Sequence, residues 1–311
     1  MTTTIHRPMT PEDTLAYESH NRTRQTTIAA AAGALLLIAA ITGLIGPHAK
    51  VSEQTLSLIT QHKRASLSIL SAVINAVSEI GIAATLIYLW QCTRRRVETT
   101  LPIAPILAIV GVSLAVIGGV AYAFEISSKA NEFVTTGAQT YDEANRLTGG
   151  VGLLVLQVLS QLGALLIAIS FVLVSLQTMR VGLLPRFMGY VGMFAGFLVL
   201  FPIIVIPVVQ LYWLIAIAIL LSGNWPSGLP PAWRSGQAEA WPSATEARAR
   251  RAAAGEASRE QRSARKRGAH RERVSDAPGL TSGASPSDLA GGDSDPRTHS
   301  GTPKRKRKRR H

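Results

Sequence analysis

Four long apolar runs dominate the chain: Thr27 to Gly46, Ser68 to Trp90, Leu101 to Phe124 and Gly149 to Leu176. None holds an Arg, Lys or Asp, and only the second holds an acid, Glu79. A bilayer core ~30 Å thick is crossed by about 20 apolar residues in a helix. A helix is the expected form because unpaired backbone groups are costly in hydrocarbon, and a helix satisfies its own. The runs therefore predict an all-α protein, a polytopic membrane helix bundle.

A fifth run, Phe187 to Ser222, has 36 uncharged residues, too many for one span. It suits two short spans of about 17 residues each, the lower limit. Pro202 and Pro207 fall near its middle, and each removes a helical donor and crowds the preceding turn. The expected arrangement is a tight hairpin with spans at 187–203 and 206–222, against one long, kinked helix as the alternative.

Charge favours the hairpin. Only 16% of the residues are charged, against ~25% in an ordinary soluble domain. The net charge is nevertheless +13, of which residues 1–222 hold +3 and residues 223–311 hold +10. Lys and Arg in short loops mark the cytoplasmic side. Arg7, Arg22, Arg24, Arg94, Arg95, Arg96, Arg180 and Arg186 fall on one side, while Lys50, Lys63, Arg64, Lys129 and Arg146 are spread over longer loops on the other. This predicts a cytoplasmic N-terminus. With six spans at 27–46, 68–90, 101–124, 149–176, 187–203 and 206–222, the C-terminus is cytoplasmic too; with five it would be outside. The first run is read as an uncleaved span, because it is longer than a signal peptide's apolar core and follows an acidic start, Glu12, Asp13 and Glu18.

Outside the spans, residues 1–26 read as a polar, mobile segment with a short helix begun by Thr10-Pro11-Glu12-Asp13. Residues 125–148 carry Glu125, Glu132, Asp142 and Glu143 and suit an outer loop with a short helix or cap. Residues 223–245 hold Trp225, Trp233 and Trp241 among prolines. Trp favours the membrane–water interface, so this segment is expected along the cytoplasmic surface. Residues 246–311 form a basic low-complexity tail: a helix-compatible stretch over 246–273, then a Gly/Ser/Pro/Asp-rich stretch expected to be disordered.

Glu79 is the one ionisable residue inside a span, and burying a charge there is expensive enough to suggest a function. Asn75 precedes it by four residues and shares its helix face, with Ser71 and Ser78 nearby. Gln157 and Gln161, also four apart, offer a partner on the fourth span. Such a cluster would bind a cation, pass a proton or orient a polar substrate. It would equally serve as interhelical glue at about 0.6–2 kcal/mol per hydrogen bond. Gly189, Gly192 and Gly196 mark a close-packing face, within the bundle or in a homo-oligomer. Cys92 is a juxtamembrane thiol, inert or open to acylation.

All seven histidines lie outside the spans, and there is no H-E-x-x-H, C-x-x-C or phosphate-binding loop. The pattern points to no catalytic group, metal or cofactor. The terminal Lys304, Arg305, Lys306, Arg307, Lys308, Arg309 and Arg310 would attract anionic lipid headgroups at ~1 kcal/mol per cation. Nucleic acid would be held by the same salt-sensitive term.

Leu183-Leu184-Pro185-Arg186-Phe187-Met188-Gly189-Tyr190 resembles a stretch found before the last two spans in a widespread family of bacterial integral membrane proteins of unknown function. Val208-Val209-Gln210-Leu211-Tyr212-Trp213 and the run from Trp225 to Trp233 are similar to an actinobacterial branch of it. The resemblance covers about residues 68–245 and implies a six-span body; it brings no catalytic residues. The resulting expectation is a non-enzymatic membrane protein with a cytoplasmic polybasic tail. The alternative is a small transporter or channel that uses Glu79 as its ion- or proton-coupling carboxylate.

Overall fold

The computed structural model describes residues 10–45, 54–97, 100, 102–200, 207–226, 228–239, 241, 245–246, 248–249 and 252–262. The first compact unit, Met1–Ser243, holds eight helices among the described residues. These are α1 (Pro11–Leu44), α2 (Gln54–Arg94), α3 (Ile103–Thr135), α4 (Tyr141–Thr148), α5 (Val151–Val181), α6 (Arg186–Leu200), α7 (Val208–Ser222) and α8 (Pro231–Ser235). The second unit, Ala244–His311, is helical at 245–246, 248–249 and 252–262 among its described residues. The basic run from Lys304 to Arg310 lies outside the described residues, as do the low-complexity stretch before it and Pro202.

Four helices, α1, α2, α3 and α5, are long and apolar enough to cross a membrane, and α6 and α7 are shorter apolar helices. The long ones outrun the bilayer. At about 1.5 Å per residue the 41 residues of α2 extend ~61 Å, twice a ~30 Å core. Their large outward side chains are apolar: Ile80 on α2, Ile106 and Ile117 on α3, and Leu154 and Val158 on α5 are all exposed. Water would penalise that surface and lipid does not.

The expected start signal at Thr10 is real, but the helix it begins is not short. Thr10 caps α1 by accepting a hydrogen bond from the Asp13 amide at 3.2 Å. From Pro11 the helix runs unbroken into the apolar run, so residues 11–26 are its first turns rather than a mobile segment. Thr14 and Glu18 in those turns are buried, which is what keeps them ordered.

Glycine sets the close packing. α3 and α5 pack so tightly that a Cβ on Gly118 would stand 2.6 Å from the Ser160 amide nitrogen, and one on Gly111 2.9 Å from that of Ile167. The Gly189, Gly192 and Gly196 face turns inward: their missing Cβ atoms would meet Met179, Ser175 with Trp213, and Phe171. That face is used within the bundle, not left open for a second copy.

α6 and α7 run antiparallel. Gln210 Nε2 donates to the Ala195 carbonyl at 3.4 Å, and one turn further on the Trp213 indole lies against Gly192. α7 continues past α1, with Leu211 and Leu214 beside Gly33. It ends where Arg22 donates to the Leu220 carbonyl at 3.1 Å and to that of Leu221. The residues of the Leu-Pro-Arg stretch have a packing reason: Gly182 takes the left-handed conformation that ends α5 (φ 84°), Leu183 and Leu184 are wholly buried, and Met188 follows them inward.

Candidate functional site

Two features of the first unit bring polar side chains together inside the bundle. One is a cavity; the other is a knot that closes the end carrying Arg94, Arg95 and Arg96, here termed the arginine end.

The cavity has a volume of about 960 Å³ and is lined from α1, α2, α3, α5, α6 and α7. One face of α2 forms its polar wall, with Gln61, Arg64, Ser68, Ser71, Asn75 and Glu79 at helical spacings of three and four. From Arg64 to Glu79 is 15 residues, or ~22 Å along the axis. The rest of the lining is mainly apolar, including Leu36, Ile167, Phe171, Leu198 and Val209, with Tyr122 and Gln210 as further polar groups. Arg64 donates to the Gly43 carbonyl at the end of α1, and Gln61 Nε2 to Ser127 Oγ at 3.4 Å. A smaller cavity of about 470 Å³, with Gln54, Ser57 and Gln157 in its wall, shares Gln61, Tyr122 and Ile126 with the main one. The two adjoin at the end opposite the arginines.

Glu79 is half-buried on the cavity wall. Asn75 Nδ2 donates to Glu79 Oε1 at 2.8 Å, the pairing expected from their spacing. Asn75 is the one hydrogen-bond partner of Glu79 among the described residues. The neighbouring serines do different work. Ser71 Oγ donates to the Ala39 carbonyl at 2.9 Å and Ser78 Oγ to that of Ala32 at 2.8 Å, so both tie α2 to α1. Gln157 and Gln161 are not brought to Glu79. α3 packs on the α5 face that carries Leu156, Ser160 and Gly163, which turns both glutamines outward. Gln157 lines the smaller cavity, and Gln161 lines neither.

Beyond Glu79 the interior is closed. Ile82, Ile167 and Phe171 form the floor, and Leu86, Leu89, Trp213 and Leu214 below it are wholly buried. Phe171 and Trp213 meet edge to face at 4.8 Å between ring centroids.

The arginine end is shut by a second polar group. Arg96 and Glu18 form an ion pair at side-chain exposures of 0% and 2%, with Nη2 to Oε2 at 2.8 Å. Arg96 also donates to the carbonyls of Cys92 and Ala232, both at 2.9 Å. The Trp233 ring takes the guanidinium groups of Arg22 and Arg96, each 5.6 Å from its centroid, and its Nε1 donates to the Leu183 carbonyl at 3.0 Å. Burial lowers the pKa of Arg22 from its ordinary value, opposed by Tyr88 and Glu18. Trp233 is therefore a plug between helices, not a residue resting on a membrane surface. Cys92 is wholly buried here, which leaves an acylating group no access.

Sequence reasoning did not single out Arg64, Tyr122 or Gln210 for the cavity, nor Glu18, Arg96 and Trp233 for the knot. Gln210 had a readable signal, being the lone amide in the long uncharged run. The Glu18–Arg96 pair had none, since 78 residues separate its members.

A bundle with apolar outward faces on several membrane-length helices and polar groups gathered inside is a multi-pass membrane protein. Within that class the chain belongs to the family described as Domain of unknown function (DUF4386), whose profile matches residues 31–225. No curated protein and no solved structure matches the chain.

Proposed function

We propose that this is a non-enzymatic membrane protein of six spans that admits a monovalent cation or proton from the outer face to Glu79. The observation that carries the reading is the cavity: it follows the polar face of α2 from the end opposite the arginines and stops at Glu79 over an apolar floor. This favours the transporter alternative over a bundle that is only structural. Glue would use up its polar groups between helices, as Ser71 and Ser78 do, whereas Glu79 faces open space.

Sidedness rests on the arginines. Arg94, Arg95 and Arg96 stand at the closed end, and the short-loop rule assigns that end to the cytoplasm. The antiparallel α6–α7 pair then returns the chain to the cytoplasmic side as spans five and six. At 15 residues each, both helices are ~22 Å long, short for a ~30 Å core. Local thinning of the bilayer accommodates that mismatch. The basic run from Lys304 to Arg310 would meet the anionic inner leaflet or a polyanionic partner such as nucleic acid.

The test is charge movement. Vesicles holding the full chain are adsorbed to a supported electrode and given a sudden step in external pH or in an inorganic or organic monovalent cation. The wild type should give a transient current as charge enters the cavity. Glu79→Gln, at equal protein level, should give none. A current that survives Glu79→Gln, or no current from wild type, removes the reading.

A further inference from the structure

We infer that the cavity's occupant is a lipophilic organic monocation: a bulky apolar body carrying one positive charge that pairs with Glu79. The inference rests on the reading of the cavity as an outward-facing cation site and names its ligand class.

Size is the first argument. A space of about 960 Å³ is far larger than a bare ion needs and falls in the range that holds organic ligands. Donor chemistry is the second. A hard metal ion takes about six oxygen ligands. Near Glu79, Asn75 is occupied with the carboxylate and the Ser71 hydroxyl donates to the Ala39 carbonyl. No group of three or more His, Cys, Asp or Glu side chains able to hold a metal forms among the described residues. The walls offer apolar contact instead, from Leu36, Ile167 and Val209. Aromatic faces are the third. The partly exposed Tyr122 lines the same space, with Phe171 buried in its floor, and an open ring face attracts organic cations, most strongly when water is excluded. Charge is the fourth. Glu79 is the one carboxylate in the lining, and one carboxylate matches one positive charge. Arg64, the one cation in the lining, lies ~22 Å away along α2 and is engaged with the carbonyl end of α1.

The test is equilibrium binding to the full chain in lipid nanodiscs, with empty nanodiscs as the blank. Tetraphenylphosphonium is the probe, and tetraphenylborate, of similar shape and opposite charge, is the control. The wild type should bind the phosphonium and not the borate. Glu79→Gln should weaken phosphonium binding ~30-fold or more, as removal of one partner of a desolvated charge pair does. Ala164→Phe, which fills space from the α5 wall and leaves Glu79 in place, should also abolish it. Equal binding of phosphonium and borate, or full binding to Glu79→Gln, would overturn the inference, as would no phosphonium binding to wild type. A wild type that gives the transient current yet binds no phosphonium defeats this inference alone; one that gives neither defeats the cation-site reading with it.

Discussion

At the scale of single residues, the Glu18–Arg96 pair should matter most to stability. Both side chains are withdrawn from water, and Arg96 makes two further hydrogen bonds to backbone carbonyls. Removing one partner strands the other as a buried charge, at a cost of about 3–5 kcal/mol. We expect Arg96→Met to lower thermal stability in detergent sharply. Glu132→Gln on the exposed Lys129–Glu132 pair should change it by less than ~1 kcal/mol. Equal effects would mean the arginine end is hydrated rather than sealed. Glu79 with Asn75 was legible in the sequence because a spacing of four is a local property of a helix. The expected contact with Gln157 and Gln161 failed because the inward face of α5 is decided by where α3 packs, and no local pattern in α5 records that.

At the scale of elements, tight helix contacts carry the bundle. Gly118 sits against the α5 backbone near Ser160, and Gly152 near the start of α5 meets nothing within 4 Å. Gly118→Leu should therefore cost about 1–3 kcal/mol from overpacking, or prevent assembly. Gly152→Leu should fall within ~0.5 kcal/mol of wild type. Denaturation in mixed micelles reads both; a neutral Gly118→Leu would mean that α3 and α5 are not in contact. The four membrane-length helices were plain from long apolar runs alone. The continuity of α1 back to Pro11 was not, because residues 11–26 look polar until Glu18 is seen to be covered by Arg96. The role of Trp233 was hidden for a related reason. A tryptophan just past a span reads as interfacial, and only the tertiary fold shows two arginines and the Leu183 carbonyl around it.

At the scale of the whole molecule, the two ends of the bundle differ in character: one is shut by buried charge and aromatic rings, and the cavity that reaches Glu79 lies toward the other. An even number of crossings should leave the C-terminus in the cytoplasm, so a fusion to a reporter active only there should signal. A fusion to one active only outside should stay silent, and the reverse would mean that 187–222 crosses once. Thiol labelling along α2 from outside intact cells probes the path to Glu79. Cys92 is buried, so the native background should be low. Cysteines at Ser68, Ala72 and Asn75, on the cavity wall, should react with a membrane-impermeant maleimide, while those at Val73 and Val77, exposed on the outer surface of α2, should not. Labelling of the wall positions alone is the predicted result. Labelling of neither set from outside, or of the wall positions only from the cytoplasmic side, would contradict an outward-open path to Glu79.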